Sequence, residues 1–540
     1  MGTRRLAELD EQPFDLVVVG GGITGAGVAR HAAQAGLRTL VLDAADFAAG
    51  TSSRSTKLIH GGLRYLAMGD IALVRESALE RKSLLAMAPH LTEPAWMLVP
   101  AASRLQFLKL RIGITLYEWL GAVAAAERHR NWARGDLQVE EPLLDRERLP
   151  WACVYREYLT DDARLVLATL RSATRLGALA CNYVRVLAVT PSAGGCRVRV
   201  VDEITGFERE LQCAALVNAT GPWVEGLLQQ RQDGLARLHL SKGVHLVVSR
   251  KRLPVRQMVM MTARDGRPVF AIPRGDVTYL GTTDTSYRGA PDHWPEVLPA
   301  DVAYLLDTVN AHFQVPPLTE PDVVASWAGL RPLINQPGKA PKEMSRRDEI
   351  WRQDAMITVA GGKLTGFRKM AQEAMAAVSE VLGRDVAMPE PLAPLPGGEV
   401  RDVPALAVEV ARRYQVDSGV ARRLVGLYGS EVYGVLGERP TPLSASTFAE
   451  EVAWGVEVEG ARTLEDLIYR RLRAAWFLPE EQDEVLTGAA ALLAVRDGWD
   501  VARRESEVAR VRERLADELG FAQAERLPAE VEQAQSVSRR

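Results

Sequence analysis

The sequence predicts an α/β chain in three parts: a parallel sheet started by an N-terminal βαβ unit, a domain built on an antiparallel sheet, and an all-α C-terminal domain. Three observations carry this prediction. Near the N-terminus a continuously apolar strand runs into a glycine-rich turn and an alanine-rich helix. Residues 240–290 alternate like antiparallel strands, with turn signals at Asp265-Gly266 and Arg274-Gly275-Asp276. Beyond a stretch at 386–400 that gathers Pro389, Pro391, Pro394, Pro396, Gly397 and Gly398, the apolar periodicity becomes helical.

Taken in order, Asp15–Val19 reads as a β-branched strand and Ala26–Ala35 as a helix that Gly36 caps. Thr39–Leu42 forms a second strand that stops at Asp43. An apolar strand without alternation implies a parallel sheet covered on both faces. Residues 44–66, rich in Ser, Thr, Gly and basic side chains, read as a functional loop. Arg75–Met87 and Leu165–Leu176 read as helices, and Val198–Val201 and Leu216–Val217 as strands. Val302, Leu305, Leu306, Val309 and Phe313 mark one amphipathic helix. Thr463 with Asp466 makes a capping-box start for a helix carrying Leu464, Leu467, Ile468, Leu472 and Ala475 on one face. On that helix Arg470, Arg471 and Arg473 read as a solvated face. The tail after Phe521 is polar and expected to fray.

The 540 residues carry 66 basic and 69 acidic side chains, a net charge of −3, with 47% hydrophobic and 25% charged residues. That balance excludes a mainly disordered chain and argues against nucleic acid as the main partner, because phosphate binding leaves a basic excess. Cys153, Cys181, Cys196 and Cys213 show no C-x-x-C spacing and read as reduced thiols of a cytoplasmic protein, with no metal site. No apolar stretch precedes the first strand, so no leader is expected, and no apolar run approaches the ~20 residues that cross a bilayer.

Gly20, Gly22 and Gly25 fit G-x-G-x-x-G between two strands, and Asp43 follows at the spacing of an acid that takes ribose hydroxyls. The first glycine serves the tight turn, the second the approach of a pyrophosphate, and the third the packing of helix on strand. This is a Rossmann-like dinucleotide site. Two later strand ends, Leu216–Trp223 and Ile357–Gly366, favour FAD over a nicotinamide cofactor. A longer molecule needs further close backbone approach, which Gly361 and Gly362 suit, and the helix that follows offers its positive end to the anionic reduced flavin.

Residues 104–120 predict a helix with Leu105, Leu108, Ile112, Leu116 and Trp119 on one face and Arg104 and Arg111 on another. Basic and aromatic-apolar faces together suit a helix lying on a lipid surface. Leu110 and Ile114 make it apolar almost all round, which equally fits a core helix or a contact in a homodimer.

The run Thr51–Leu66, with Asn218–Trp223, Gly281–Asp284, Gly329–Leu333 and Gly361–Thr365, resembles the FAD-dependent glycerol-3-phosphate dehydrogenases. The similarity covers 14–385 in family order, and the C-terminal part resembles the family more loosely. The resemblance implies a D-amino-acid-oxidase-like architecture: an FAD domain of 14–90, 155–235 and 355–385, a substrate domain of 91–154 and 236–354, and a helical domain of 400–521. It implies oxidation of sn-glycerol 3-phosphate to dihydroxyacetone phosphate with hydride transfer to FAD, and electrons passed to a membrane quinone by an enzyme on the inner face of the plasma membrane. It adds Thr51, Ser52, Lys57, Ala219, Gly221, Gly361, Gly362, Lys363, Leu364 and Thr365 to the cofactor site. It puts Arg64, Tyr65, Arg331, Arg347 and Lys363 around the substrate, and His60, His245 and Arg331 in catalysis, with the base open between the two histidines. Arg54-Ser55-Thr56 is shared as much with glycerophosphate oxidases, which leaves oxygen, reduced to hydrogen peroxide, as the alternative acceptor. An amine oxidase would need a carboxylate clamp instead of the basic cluster, and a non-enzymatic flavin binder would not need that cluster at all.

Overall fold

A computed structural model describes residues 5–60, 71–192, 194–228, 238–335, 348–386, 393–437 and 448–521. The helices that frame the site are α1 (Ile23–Gln34), α2 (Ile71–Met87), α3 (Arg104–Leu120), α4 (Asp162–Arg175), α5 (Pro299–Asn310) and α6 (Phe367–Leu382).

The first sheet has a parallel centre. Strands Met356–Gly361, Glu208–Asn218, Phe14–Val19, Thr39–Leu42 and Leu179–Cys181 lie side by side, and Asp348–Gln353 adds an antiparallel edge. Both faces are covered, as the unbroken apolar strand requires. Leu16 and Val18 pack into the core formed with α1, α4 and α6, while Val17 and Val19 face the core beneath the antiparallel strands Val184–Ser192 and Gly195–Asp202. The second sheet is mostly antiparallel. Its ten strands include Glu93–Ala101, Trp151–Leu159, Leu238–Ser249 and Val323–Ile334. Helix α5 closes one face through Val302, Leu305, Leu306 and Val309. Trp151–Leu159 belongs wholly to this sheet and Asp348–Gln353 to the first, so the boundaries expected at 154 and 354 each move by one strand.

The C-terminal region is helical, but it does not form one separate core. Val403–Tyr414, Ser418–Tyr428 and Val432–Leu436 pack on each other. By contrast, Leu467, Ile468, Leu472 and Trp476 share a core with Met97, Tyr155, Tyr279 and Trp327 of the antiparallel sheet. Thr463 caps Asp466 in the expected box. The three arginines that follow are buried rather than solvated. Arg470 and Arg471 pair with Asp46, and Arg473 with Asp161 and Asp162 at 2.9 and 3.1 Å. A buried charge is tolerable only with a partner, so this region is bolted by ion pairs onto the loops that flank the first sheet. The linker is anchored as well, since Leu395 is buried and its N–H donates to the Met87 carbonyl at 2.8 Å.

Helix α3 starts at a Ser103 cap. It buries Ile114, Tyr117 and Glu118, which leaves the row Leu105, Leu108, Ile112, Leu116 and Trp119 exposed, Trp119 at 76%. No helix among the described residues is long and apolar enough to cross a membrane. The four cysteines are free and buried. The tail after Phe521 lies outside the described residues.

Candidate active site

A cavity of about 1830 Å³ runs between the two sheets. Its floor is the glycine turn. Gly20 holds φ +107°, and a Cβ there would sit 2.5 Å from the Ala219 carbonyl oxygen. At Gly25 a Cβ would lie 1.9 Å from the Gly20 oxygen, so this glycine lets α1 rest on the strand and does not itself line the cavity. Gly22 does line it, as the N-cap of α1 with no side chain of its own to cap the helix, so the positive end of the helix faces the cavity. Asp43 is oriented by two backbone donors, Gly21 N–H at 2.7 Å and Ala45 N–H at 2.9 Å. Burial still pushes its carboxyl up to about 7. Further hydroxyl donors would favour the charged form.

Thr51, Ser52, Ala219, Gly221, Gly361, Gly362, Lys363, Leu364 and Thr365 all line the same cavity. Ser52 Oγ accepts from the Ile23 N–H at 3.0 Å, and Thr51 Oγ1 donates to the Leu330 carbonyl at 2.6 Å. Gly361 and Gly362 both hold left-handed φ, +75° and +77°, which brings bare backbone to the wall. Lys57 departs from its expected place. Its amine is fully buried away from the cavity, 3.2 Å from both oxygens of Asp162, and it also donates to the Ser53 carbonyl at 2.8 Å. Burial, only partly offset by Asp162, lowers this lysine to about 7.

At the far end stand His60, His245 and Arg331. His245 stacks on Trp327 with ring centroids 4.8 Å apart, and its Nε2 is 3.0 Å from Thr56 Oγ1. Its Nδ1 is buried without a partner among the described residues. Burial, then the charges of Lys57 and Arg331, hold the ring well below its ordinary pKa, so it is neutral at pH 7. A Cβ on Gly281 would meet that ring at 2.1 Å. Arg331 lies flat across Gly243. It donates to Thr282 Oγ1 at 2.8 Å and the Thr283 carbonyl at 3.1 Å, and sits 3.4 Å from Asp284. His60 packs edge-on to Phe270, and its carbonyl accepts from Thr365 Oγ1 at 3.1 Å, tying the two strand ends together. Arg64, Tyr65 and Arg347 lie outside the described residues.

The residue pattern did not single out Thr56, Asp284 or Thr282 as members of the site, although all three sit inside quoted motifs. It also missed the helix α3 side chains on the wall: Lys109, Leu110, Ile112 and Leu116. Their signal was the row of apolar residues at helical spacing, which sequence alone cannot aim.

Comparison with known proteins decides the family. The profile described as FAD dependent oxidoreductase matches residues 15–367, and that described as the C-terminal domain of alpha-glycerophosphate oxidase matches 392–504. The aerobic glycerol-3-phosphate dehydrogenase of Staphylococcus aureus (strain USA300) is 40% identical over 448 residues, covering 78% of this chain and 79% of that one. The chain belongs to the FAD-dependent glycerol-3-phosphate dehydrogenase family. A solved glycerol-3-phosphate dehydrogenase from Bacillus halodurans, complexed with FAD, superposes with a TM-score of 0.77 at 33% identity, covering 96% of this chain and 97% of that one. The L-alpha-glycerophosphate oxidase of Mycoplasma pneumoniae shares the fold at a TM-score of 0.56 and 16% identity, covering 70% of this chain and 97% of that one.

The cofactor of this family member is FAD, and the residues present fit it. A helix N-terminus with glycine at its N-cap, a backbone-oriented carboxylate and the doubled left-handed glycines lie along one continuous cavity.

Proposed function

We propose that this protein oxidises sn-glycerol 3-phosphate to dihydroxyacetone phosphate and passes the electrons to a membrane quinone. The observation that carries this reading is one cavity that joins three things: the dinucleotide cradle, His245 and Arg331, and a wall from helix α3 whose outer row is apolar and exposed. FAD, when bound, supplies the hydride acceptor. Arg331 meets the substrate phosphate, because a guanidinium fork suits a dianion, and Lys363, on the same wall, adds a second cation. Arg64, Tyr65 and Arg347 belong to the same group by family resemblance. His245 takes the C2 hydroxyl proton. A neutral imidazole can accept it, and the arriving dianion offsets the fields of Lys57 and Arg331 that keep the ring neutral. His60 positions the substrate beside Phe270. Gly20, Gly22, Asp43, Thr51, Ser52, Ala219, Gly221, Gly361, Gly362, Leu364 and Thr365 hold the cofactor, with Gly25 keeping the turn closed.

The exposed row of α3 rests on the lipid surface, which places the enzyme peripherally on the inner face of the plasma membrane. A second reading, reoxidation by oxygen with peroxide as product, is supported by the alpha-glycerophosphate oxidase profile over 392–504. One experiment tests both readings. The yellow protein is bleached anaerobically with glycerol 3-phosphate, then mixed with a quinone analogue or with oxygen. Fast recovery of colour with quinone and slow recovery with oxygen is expected. Failure to bleach removes the substrate assignment, and the reverse acceptor order makes the protein an oxidase.

A further inference from the structure

The substrate chemistry uses the half of the cavity around His245 and Arg331. The half lined by α3 contains one buried carboxylate that chemistry does not use. Glu157 lines the cavity, is 2% exposed, and lies 3.1 Å from the guanidinium of Arg81, itself buried. On the strand Trp151–Leu159 it shares a face with Cys153, Tyr155 and Leu159, and the ladder Leu58↔Leu159, Ile59↔Tyr158 brings it to the same end of the strand pair as His60. The cavity then passes Ile112 and Leu116, which are 60% and 41% exposed, so it opens along the apolar row of α3.

We propose that Glu157, held by Arg81 and Tyr155, is the proton donor to the electron acceptor at the α3 end of the cavity. The proposal rests on the quinone reading. Each quinone takes two electrons and two protons to become a quinol. Bound FAD, once reduced, would supply both electrons and one hydrogen, as a hydride. The other is the Glu157 proton: its O–H bond breaks as the second quinol O–H forms, and the carboxylate recovers a proton from water at the mouth.

The surroundings suit a carboxyl that must be protonated near neutrality. Burial raises Glu157 to about 7, against the opposing pull of Arg81 and a Tyr155 hydrogen bond. Arg81 comes from α2 and stands over the rings of Tyr117 and Tyr158, at 5.0 and 5.6 Å. From α3 come Tyr117, whose buried hydroxyl has no partner among the described residues, Glu118, paired with His129, and Lys109 on the wall. His60 completes the titratable groups on this side of the cavity among the described residues.

The test separates the half-reactions of the FAD-loaded enzyme. Glu157→Gln keeps shape and hydrogen bonding but carries no transferable proton. Reoxidation by a soluble quinone is expected to slow by roughly a hundredfold, the scale of general acid catalysis. Turnover with ferricyanide, an electron acceptor that takes no proton, should stay within about twofold by the same argument. Wild-type quinone reoxidation should fall as pH rises through about 7, as the acid form is lost, and Glu157→Gln should lack that inflection. Glu157→Asp should restore part of the rate. A readout independent of turnover is the infrared carbonyl band of a protonated carboxyl, titrating near neutrality in the wild type and absent from Glu157→Gln.

Equal quinone rates in wild type and Glu157→Gln, or equal losses with quinone and ferricyanide, would overturn the proposal while leaving the quinone reading standing. A wild type that quinone does not reoxidise would overturn both.

Discussion

Replacing Arg331 by lysine tests the proposed phosphate contact, and the structure sets its expected size. The guanidinium is about one-fifth exposed and lies over Gly243, where a Cβ would come within 2.1 Å of Nη2. Both arms of the fork are engaged, Nη2 by Thr282 Oγ1 and Nη1 by the Thr283 carbonyl, while Asp284 stands 3.4 Å off, a loose pair whose carboxylate also accepts a hydrogen bond from Ser241. Lysine keeps one positive charge but cannot span Thr282 and the substrate together. Losing one charge-assisted hydrogen bond costs about 1.5–3 kcal/mol, which is roughly ten- to a hundredfold in kcat/KM for glycerol 3-phosphate. Glycerol, with no phosphate to lose, should be a very poor substrate for the wild type and change little further in the variant. FAD content and the flavin spectrum should be unchanged. Steady-state rates on both substrates, with the absorbance ratio of each preparation, make the measurement. Equal losses on the two substrates would mean that Arg331 acts on the C2 oxygen or on the fold. No loss on either, or a matching defect in Asp284→Asn, would reduce it to a partner of Asp284.

Three further outcomes are expected. Gly22→Val should lose FAD while the apoprotein stays folded, because the nearest atom to a Cβ there is the Ser52 hydroxyl at 3.1 Å; Gly25→Ala should destabilise the apoprotein itself by about 1–3 kcal/mol or more, because its Cβ meets backbone, and calorimetry of the two apoproteins distinguishes them. Leu116→Glu with Trp119→Glu should release the enzyme from vesicles without lowering its melting temperature, since both residues are exposed; unchanged vesicle binding would remove the lipid role of α3. His90 is buried against Gly397 and Gly429 and held down to about 3, by burial and then by Arg164 and Arg171. Its unfolded form protonates near 6.5 and its folded form only near 3, so stability is full above that window and lost as pH falls through it; His90→Gln escapes the loss, and the stability gap to wild type should narrow by about 2 kcal/mol between about pH 7 and pH 5 by calorimetry.

What was legible in the chain follows from the range of the forces involved. The βαβ unit could be read because its glycines answer local demands: a left-handed turn at Gly20 and a helix resting on backbone at Gly25. The doubled glycine at 361 and 362 is of the same kind. Helix α3 was legible as a helix, but its buried side was not, because Leu110 and Ile114 blur the apolar stripe. Packing against Tyr155, and not the stripe, decides that Tyr117 and Ile114 point inward. Arg470, Arg471 and Arg473 misled because three basic residues at helical spacing normally mean solvent, while their partners Asp46, Asp161 and Asp162 lie more than 300 residues earlier in the chain. Lys57 failed for the same reason: a lysine in a cofactor loop is expected to meet an anion, and it does, but that anion is Asp162 behind the wall.

These misreadings share a cause that bears on the mechanism. Lys57, Arg473, Asp161 and Asp162 form one buried charged layer directly behind Thr56 and Trp327, the two groups that hold His245. Asp162 also accepts from the N–H and hydroxyl of Ser55, fixing the loop that presents Thr56. The imidazole therefore sits on a rigid shelf whose charges are matched out of reach of water, and it is kept neutral first by burial and then by the charges of Lys57 and Arg331. Arg473 enters from the C-terminal helices, so their docking completes the support of His245, the proposed base. This gives the helical region a physical reason to be bolted down by ion pairs, where a tethered accessory domain would need only a linker.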